Sequence, residues 1–321
     1  MYSFAKEMKK KSSDIQNYKL DQSFHRVHKE GAVESGFGLD GTEELIEGSF
    51  GLYSSAGLKP KIGPIKSKFF RVGFGKQGSV HLDCGLESHF FQPNDMVFTF
   101  PGQVFSLRDK SMDFSAYYML FSEEFFADVV SLKNLRDQFP FLNYGGHQHI
   151  RLAPHEVAEV EHFILKINSE LKQRKPDLRQ AIQSYLHLIL IHAHRSYERQ
   201  QLGSQESSGT GNMLLRKYKK LVGEHFISIR TVSDYAAMLN ISSDHLSKTI
   251  RKQSGRTAHE LIYEMLLMEA KALLLHTEAS VAEIAYRLEF TDPSHFSKFF
   301  RKLTALTPLQ YREKSLAAQR T

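Results

Sequence analysis

Apolar and polar positions change their period along this chain, and each change marks a different kind of element. Between residues 67 and 118 the apolar residues come in short aromatic or β-branched runs: Lys68 to Phe74, Ser79 to Asp83, Asp95 to Phe100 and Phe114 to Phe121. Turn residues separate them, at Gln92-Pro-Asn-Asp95 and at Pro101-Gly102. Several short strands at a spacing of roughly ten residues predict an antiparallel barrel or sandwich. From residue 155 to 200 the period becomes helical. Val157, Val160, Ile164, Ile167 and Leu171 recur at intervals of 3, 4, 3 and 4, an a/d seam on one helix. Pro176 breaks that helix, and Leu178, Ile182, Tyr185 and Ile189 mark one face of a second. Two helices beside an otherwise closed barrel either pack on it or pair two copies of the chain. The reading favoured here assigns the seam Val157, Val160, Ile164, Ile167 and Leu171 to a homodimer interface. Residues 201–212 are Gly/Ser-rich without apolar periodicity and read as a flexible linker. The expected division is therefore 1–200, a sensing and dimerisation domain, 201–212, a linker, and 213–321, a helical domain.

The helical third contains one pattern twice. Val232, Ala236 and Leu239 recur 49 residues later as Val281, Ala285 and Leu288. After one extra residue in the turn, His245, Ser247, Lys248, Arg251, Lys252 and Thr257 recur 50 residues later as His295, Ser297, Lys298, Arg301, Lys302 and Thr307. Each copy reads as a short helix, a turn and a second helix. Starts are marked by Ser280-x-x-Glu283, Thr257-x-x-Glu260 and Thr307-x-x-Gln310, in which hydroxyl and N3 side chain satisfy free N–H groups reciprocally. Pro293 and Pro308 stand at N1, where a missing N–H costs nothing. On each second helix Leu246 and Ile250, or Phe296, Phe300 and Leu303, make an apolar stripe. His245, Lys248 and Lys252, or His295, Lys298 and Lys302, make a basic one. One such helix is an ordinary solvated helix; donors repeated at equivalent positions of two copies point to duplex DNA.

Charge agrees with this division. Residues 213–321 hold 17 basic and 11 acidic residues, which accounts for the whole formal excess of +6, so the remainder of the chain is neutral. A hydrophobic content of 41% suffices for a sizeable core. No apolar run is long enough to cross a membrane as a helix, and no signal peptide is visible at the N-terminus. Cys84 is the single cysteine, so no intrachain disulfide can form, which suits a cytoplasmic protein.

The segment 213–312 resembles the DNA-binding domain of the AraC/XylS transcription regulators. The residues that carry this are Ser280-Val-Ala-Glu-Ile-Ala285, Phe290, His295-Phe-Ser-Lys-Phe-Phe-Arg301 and Thr307-Pro-Leu-Gln-Tyr-Arg312. Gln92-Pro-Asn-Asp-Met-Val-Phe98, Phe100-Pro-Gly-Gln103 and Leu120-Phe-Ser-Glu-Glu-Phe125 resemble, less specifically, the cupin-like sensing domains of that family. The resemblance implies an α+β chain of two domains: an N-terminal cupin-like β-barrel with dimerisation helices, and an all-α domain with two helix-turn-helix motifs. It implies seven helices in the second domain, with a long one over 259–275 between the motifs. It places Asp244, Ser247 and Lys248 against bases in one major groove and Ser294, His295 and Lys298 in the next, with Arg251, Lys252, Arg301 and Lys302 nearer phosphates. Lysine can donate to guanine O6 and N7, whereas Ser and His are more permissive. The chain departs from the family pattern at Glu289 and Ala305, which replace glycines, and at Pro293, which offers no donor.

Other chemistry is sparse. His81, Asp83 and His89 are the candidate metal ligands of a cupin-like barrel, but the further His expected on a late strand is missing, so no metal or cofactor is expected. His147-x-His149 and His192-x-His194 read as surface or core histidines, and Cys84 has no partner cysteine. No phosphate loop or nucleophile elbow is present, and no enzyme is expected. The phenylalanines of the first domain suit a core with one apolar pocket. The expected protein is a cytoplasmic, effector-responsive transcription regulator, an activator in the family's commoner mode. Duplex DNA, a small molecule, RNA polymerase and a second copy would be its partners. A metal enzyme tethered to DNA and an architectural DNA binder are the alternatives.

Overall fold

The computed structural model describes residues 28–29, 37–38, 49–127, 132–144, 146–203 and 210–318. Nine strands are β1 (Phe50–Ser54), β2 (Ile62–Lys66), β3 (Phe69–Gln77), β4 (Val80–Cys84), β5 (Glu87–Phe91), β6 (Asp95–Thr99), β7 (Val104–Arg108), β8 (Ser115–Ser122) and β9 (His149–Arg151). They form two antiparallel sheets, ordered β1-β8-β3-β6-β9 and β2-β7-β4-β5. The four expected runs became β3, β4, β6 and β8. Strand β3 is central in its sheet, and Phe69 to Gly75 are buried without alternation, so both of its faces are covered. Arg71 and Gly73, opposite Thr99 and Val97 of β6, turn towards the second sheet. Phe70 and Val72 turn away from it, and the Phe70 ring stacks on Phe121 at 5.0 Å.

Helix α1 (Leu132–Gln138) lies between β8 and β9, and α2 (Pro154–Gln173) and α3 (Leu178–Arg199) follow β9. The chain reverses between α2 and α3 through Arg174 and Asp177, both at positive φ, on either side of Pro176. Here the structure corrects the sequence reading. Val160, Ile164 and Ile167 are 0% exposed and Leu171 4%, and Val157 packs against the same core. They belong to one cluster with Ile182, Leu186 and Ile189 of α3 and with the strands. Four of the five seam residues are therefore covered from within the chain, and Val157 stays half-buried beside them. Periodicity had identified the buried stripe correctly; α3 and the sheet are what cover it.

Of the expected linker 201–212, residues 204–209 lie outside those described. Residues 201–203 form a turn after α3, and 210–212 already belong to the first turn of α4, because α4 covers Thr210–His225. Six helices follow: α5 (Val232–Met238), α6 (Ser243–Ser254), α7 (Ala258–His276), α8 (Val281–Arg287), α9 (Pro293–Thr304) and α10 (Pro308–Ala318). They make the expected seven, and α7 is the long helix between the motifs. Its core, with Tyr218, Tyr235, Leu246, Ile262, Leu273, Ile284, Phe296 and Phe300, is separate from that of the β-domain.

The two domains touch where α7 lies against β2. Lys66 Nζ sits 2.8 Å from Glu269 Oε1 and 2.9 Å from Oε2. His276 Nε2 lies 2.9 Å from the Pro64 carbonyl oxygen, and burial draws its imidazole down to about 4. Lys219 of α4 pairs with Glu87 of β5 at 2.6 Å.

Candidate nucleic-acid interface

Each helix of the repeated unit starts on a side-chain cap. Thr231 Oγ1 accepts the Asp234 N–H at 3.2 Å, and Ser242 Oγ accepts that of His245 at 3.2 Å. Ser280 and Glu283 close a reciprocal box, with Ser280 N–H donating to Glu283 Oε2 at 2.8 Å and Glu283 N–H to Ser280 Oγ at 3.2 Å. Asp292 Oδ1 accepts the N–H of Ser294 at 2.7 Å and of His295 at 3.0 Å, with Pro293 at N1. These donors hold the Asp292 carboxyl below its usual range. Each cap satisfies N–H groups that a helix start leaves without partners.

The first helices bury their alanines, Ala236 and Ala285, which lets the second helix of each motif approach. Those second helices, α6 and α9, bury Leu246 and Ile250, or Phe296 and Phe300. Their outer faces are free. Asp244, Ser247, Lys248, Arg251 and Lys252 on α6 are all exposed, and so are Ser294, His295, Lys298, Arg301 and Lys302 on α9. Every residue expected to meet bases or phosphates thus stands on the solvent face of its helix.

The copies agree in backbone as well. Asn240 and Glu289, in the two turns, both have φ 54°, and Gly255 and Ala305, after the two outer helices, have φ 72° and 60°. The departures from glycine at Glu289 and Ala305 thus keep the left-handed backbone, at a cost on the order of 1 kcal/mol each. The faces differ in charge. Lys248 Nζ is held by Asp244 Oδ2 at 2.8 Å, which keeps its ammonium above the usual lysine range. At the place of Asp244 the second copy has Ser294, and Lys298 has no ion-pair partner among the described residues. His295 Nδ1 lies 2.8 Å from Thr291 Oγ1, which leaves Nε2 as the ring nitrogen for an outside partner.

Two residues outside the motif faces fix their frame. Arg230, just before the cap Thr231, donates to the Leu288 carbonyl and lies 4.5 Å over the Phe290 ring. It ties the entry of the first motif to the turn of the second. In the sequence only a cation beside a cap marks this tie. Arg312 donates from Nε to the Leu274 carbonyl at 2.8 Å and from Nη2 to that of Ala279 at 2.6 Å, satisfying carbonyls at and beyond the end of α7.

In the β-domain the candidate metal residues do not converge. His81 and Asp83 share the outer face of β4; Asp83 pairs with Arg108 at 3.1 Å, and His81 lies 3.6 Å from Asp109. His89 is on β5 beside His149, and burial draws it down to about 4. Among the described residues no group of three or more His, Cys, Asp and Glu could hold a metal. Burial pushes the Cys84 thiol up to about 12, so it is no reactive thiolate at neutral pH. Between the sheets lies a largely apolar cavity whose walls include Arg71, Leu82, Phe105 and Tyr118.

Comparison with known proteins places the same segment. Residues 235–314 match the family described as a helix-turn-helix domain. The chain is 25% identical over 257 residues to the uncharacterized HTH-type transcriptional regulator YijO of Escherichia coli K12, covering 78% of this chain and 85% of that protein. It is 34% identical over 90 residues to the HTH-type transcriptional activator RhaS of Escherichia coli SE11, and there it spans only 28% of this chain and 32% of RhaS. Among solved structures, the C-terminal domain of the response regulator AraT of Geobacillus stearothermophilus is 30% identical. That match covers 32% of this chain and 84% of the domain, with a TM-score of 0.30. No helix among the described residues is long and apolar enough to cross a membrane.

Proposed function

We propose that this chain belongs, through its C-terminal domain, to the AraC-type helix-turn-helix transcription regulators, and on that premise that its repeated motifs read DNA under the control of the β-domain. Helices α6 and α9 enter successive major grooves on one side of a duplex. Asp244, Ser247 and Lys248, then Ser294, His295 and Lys298, meet base edges, while Arg251, Lys252, Arg301 and Lys302 neutralise phosphates and set the salt dependence. The observation that carries this is the reproduction of one exposed donor set, in two equally capped helices, at equivalent positions. Lys248 must leave Asp244 to reach guanine, whereas Lys298 needs no such exchange, so the second motif pays less to bind.

The β-domain senses a small molecule in the cavity between its sheets. Its message passes through the α7–β2 contact, where Lys66 meets Glu269 and His276 meets the Pro64 carbonyl. Assembly as a homodimer, activation through RNA polymerase and a cytoplasmic setting complete the proposal; the α2 seam has no part in the dimer. A metal enzyme is disfavoured, since His81 and Asp83 face away from His89. The test is selection of a preferred site from random duplexes, then competition with random DNA at fixed salt. A regulator binds its site at least about a thousandfold more tightly than random DNA, whereas an architectural protein binds both alike.

A further inference from the structure

Arg71 stands in the middle of β3, 6% exposed, on the wall of the cavity between the sheets. Its Nη1 donates to Thr99 Oγ1 at 3.0 Å, and its guanidinium lies 4.1 Å over the Phe105 ring. Among the described residues no carboxylate pairs with it. The titratable acids whose charge would reach it are Cys84 and Tyr118. Burial pushes the Cys84 thiol up to about 12 and the Tyr118 hydroxyl well above its ordinary value, so both are neutral at physiological pH. Burial draws Arg71 down only to about 10, so it stays charged. A buried cation without a counter-ion is strongly unfavourable, and most of the five guanidinium N–H donors remain unused. The Tyr118 hydroxyl, on the same cavity wall, is buried and has no hydrogen-bond partner among the described residues. The rest of the lining is mostly apolar, with Ile62, Ile65, Leu82, Phe91, Phe105 and Leu107, and His28, Ser55 and Tyr117 add its remaining polar side chains. Gly73, beside Arg71 on the inward face, leaves that wall as bare backbone.

We propose that this cavity binds a monoanionic carboxylate with an apolar body, with Arg71 as its counter-ion and the Tyr118 hydroxyl as its neutral donor. The inference deepens the effector-sensing reading and rests on it. The guanidinium fork matches a carboxylate bidentately. One cation compensates one negative charge, so a dianionic phosphate would bring a surplus charge into an apolar space, and a neutral ligand would leave Arg71 unpaired. A small inorganic anion would leave the apolar walls uncovered.

Calorimetric titration of the full chain, without DNA, tests this with two acids and their neutral isosteres: 4-phenylbutanoate against 4-phenylbutanamide, and octanoate against octanamide. At least one acid binds, about tenfold or more tighter than its amide, and Arg71→Met abolishes that preference while Arg71→Lys keeps most of it. Exchange of a buried charge for an apolar side chain of similar length is tolerated by folds. Should the Met variant still fail to fold, Tyr118→Phe reads the same site, with affinity for the acid falling more than affinity for the amide, since a hydrogen bond to a charged acceptor is the stronger. Equal binding of acid and amide, undiminished acid binding by the Met variant, an unchanged acid affinity in Tyr118→Phe, or no binding of either acid at millimolar concentration overturns the proposal. DNA binding is read separately, so failure here leaves the DNA-binding assignment standing, and failure there leaves this site standing.

Discussion

Lys66 of β2 and Glu269 of α7 are 203 positions apart in the chain and meet at 2.8 Å, joining the β-domain to the helical domain. Glu269 is 1% exposed, so its carboxylate depends on this partner. Lys66→Met leaves a buried unpaired charge, a cost of about 3–5 kcal/mol if the domains stay docked. Undocking is the escape, because it returns Glu269 to water. Hydrogen exchange should therefore rise along α7 and β2 in Lys66→Met. The double variant Lys66→Met with Glu269→Leu should return to the wild-type pattern. Unchanged exchange in the single variant would mean that this pair does not hold the domains together.

The a/d stripe of α2 is covered by α3 and the sheet, and this decides what a charge there does. Ile164→Asp places a carboxylate where exposure is 0%. The expected loss is several kcal/mol of folding stability, from the missing apolar contact and the desolvated charge together. Urea unfolding should show the first transition shifted far down, with the second, from the helical domain, in place. A variant that stays as stable as wild type, and merely halves its mass in sedimentation, would restore the dimer seam.

The positions after the two outer helices make an internal comparison. Gly255 and Ala305 share the left-handed region, and nothing lies within 4 Å of a Cβ built at Gly255. Only backbone strain separates the residues, so Ala305→Gly should stabilise and Gly255→Ala destabilise the domain, each by about 0.5–1 kcal/mol. Thermal unfolding of both variants checks the sign. Equal shifts in the same direction would show that packing, not φ, governs these caps.

Much of this was legible in residues 213–321 because the signals there are local. The boxes at Thr257 and Ser280, and the caps at Asp292 and Thr307, fix helix starts within a turn, and the long helix expected over 259–275 covers Ala258–His276. In the β-domain the signal is weaker. Strand β3 is buried on both faces, so its alternation disappears, and Arg71 looks like a chance cation in an aromatic run. The stripe of α2 told that something covers it but not what, since periodicity carries no information about a partner. Lys66 and Glu269 gave no sign at all, because their meeting depends on the docking of two domains with separate cores.

The central claim is that two equivalent helices read one duplex together. Footprinting of wild type, Lys248→Ala and Lys298→Ala on a selected site, at fixed salt, tests it most directly. Wild type should protect two major-groove patches roughly 10 bp apart on one face. Each variant should lose about 1–3 kcal/mol of specific binding and lose contact in one patch only, a different one for each lysine. A single protected patch, or two variants that weaken both patches and random DNA equally, would contradict the claim.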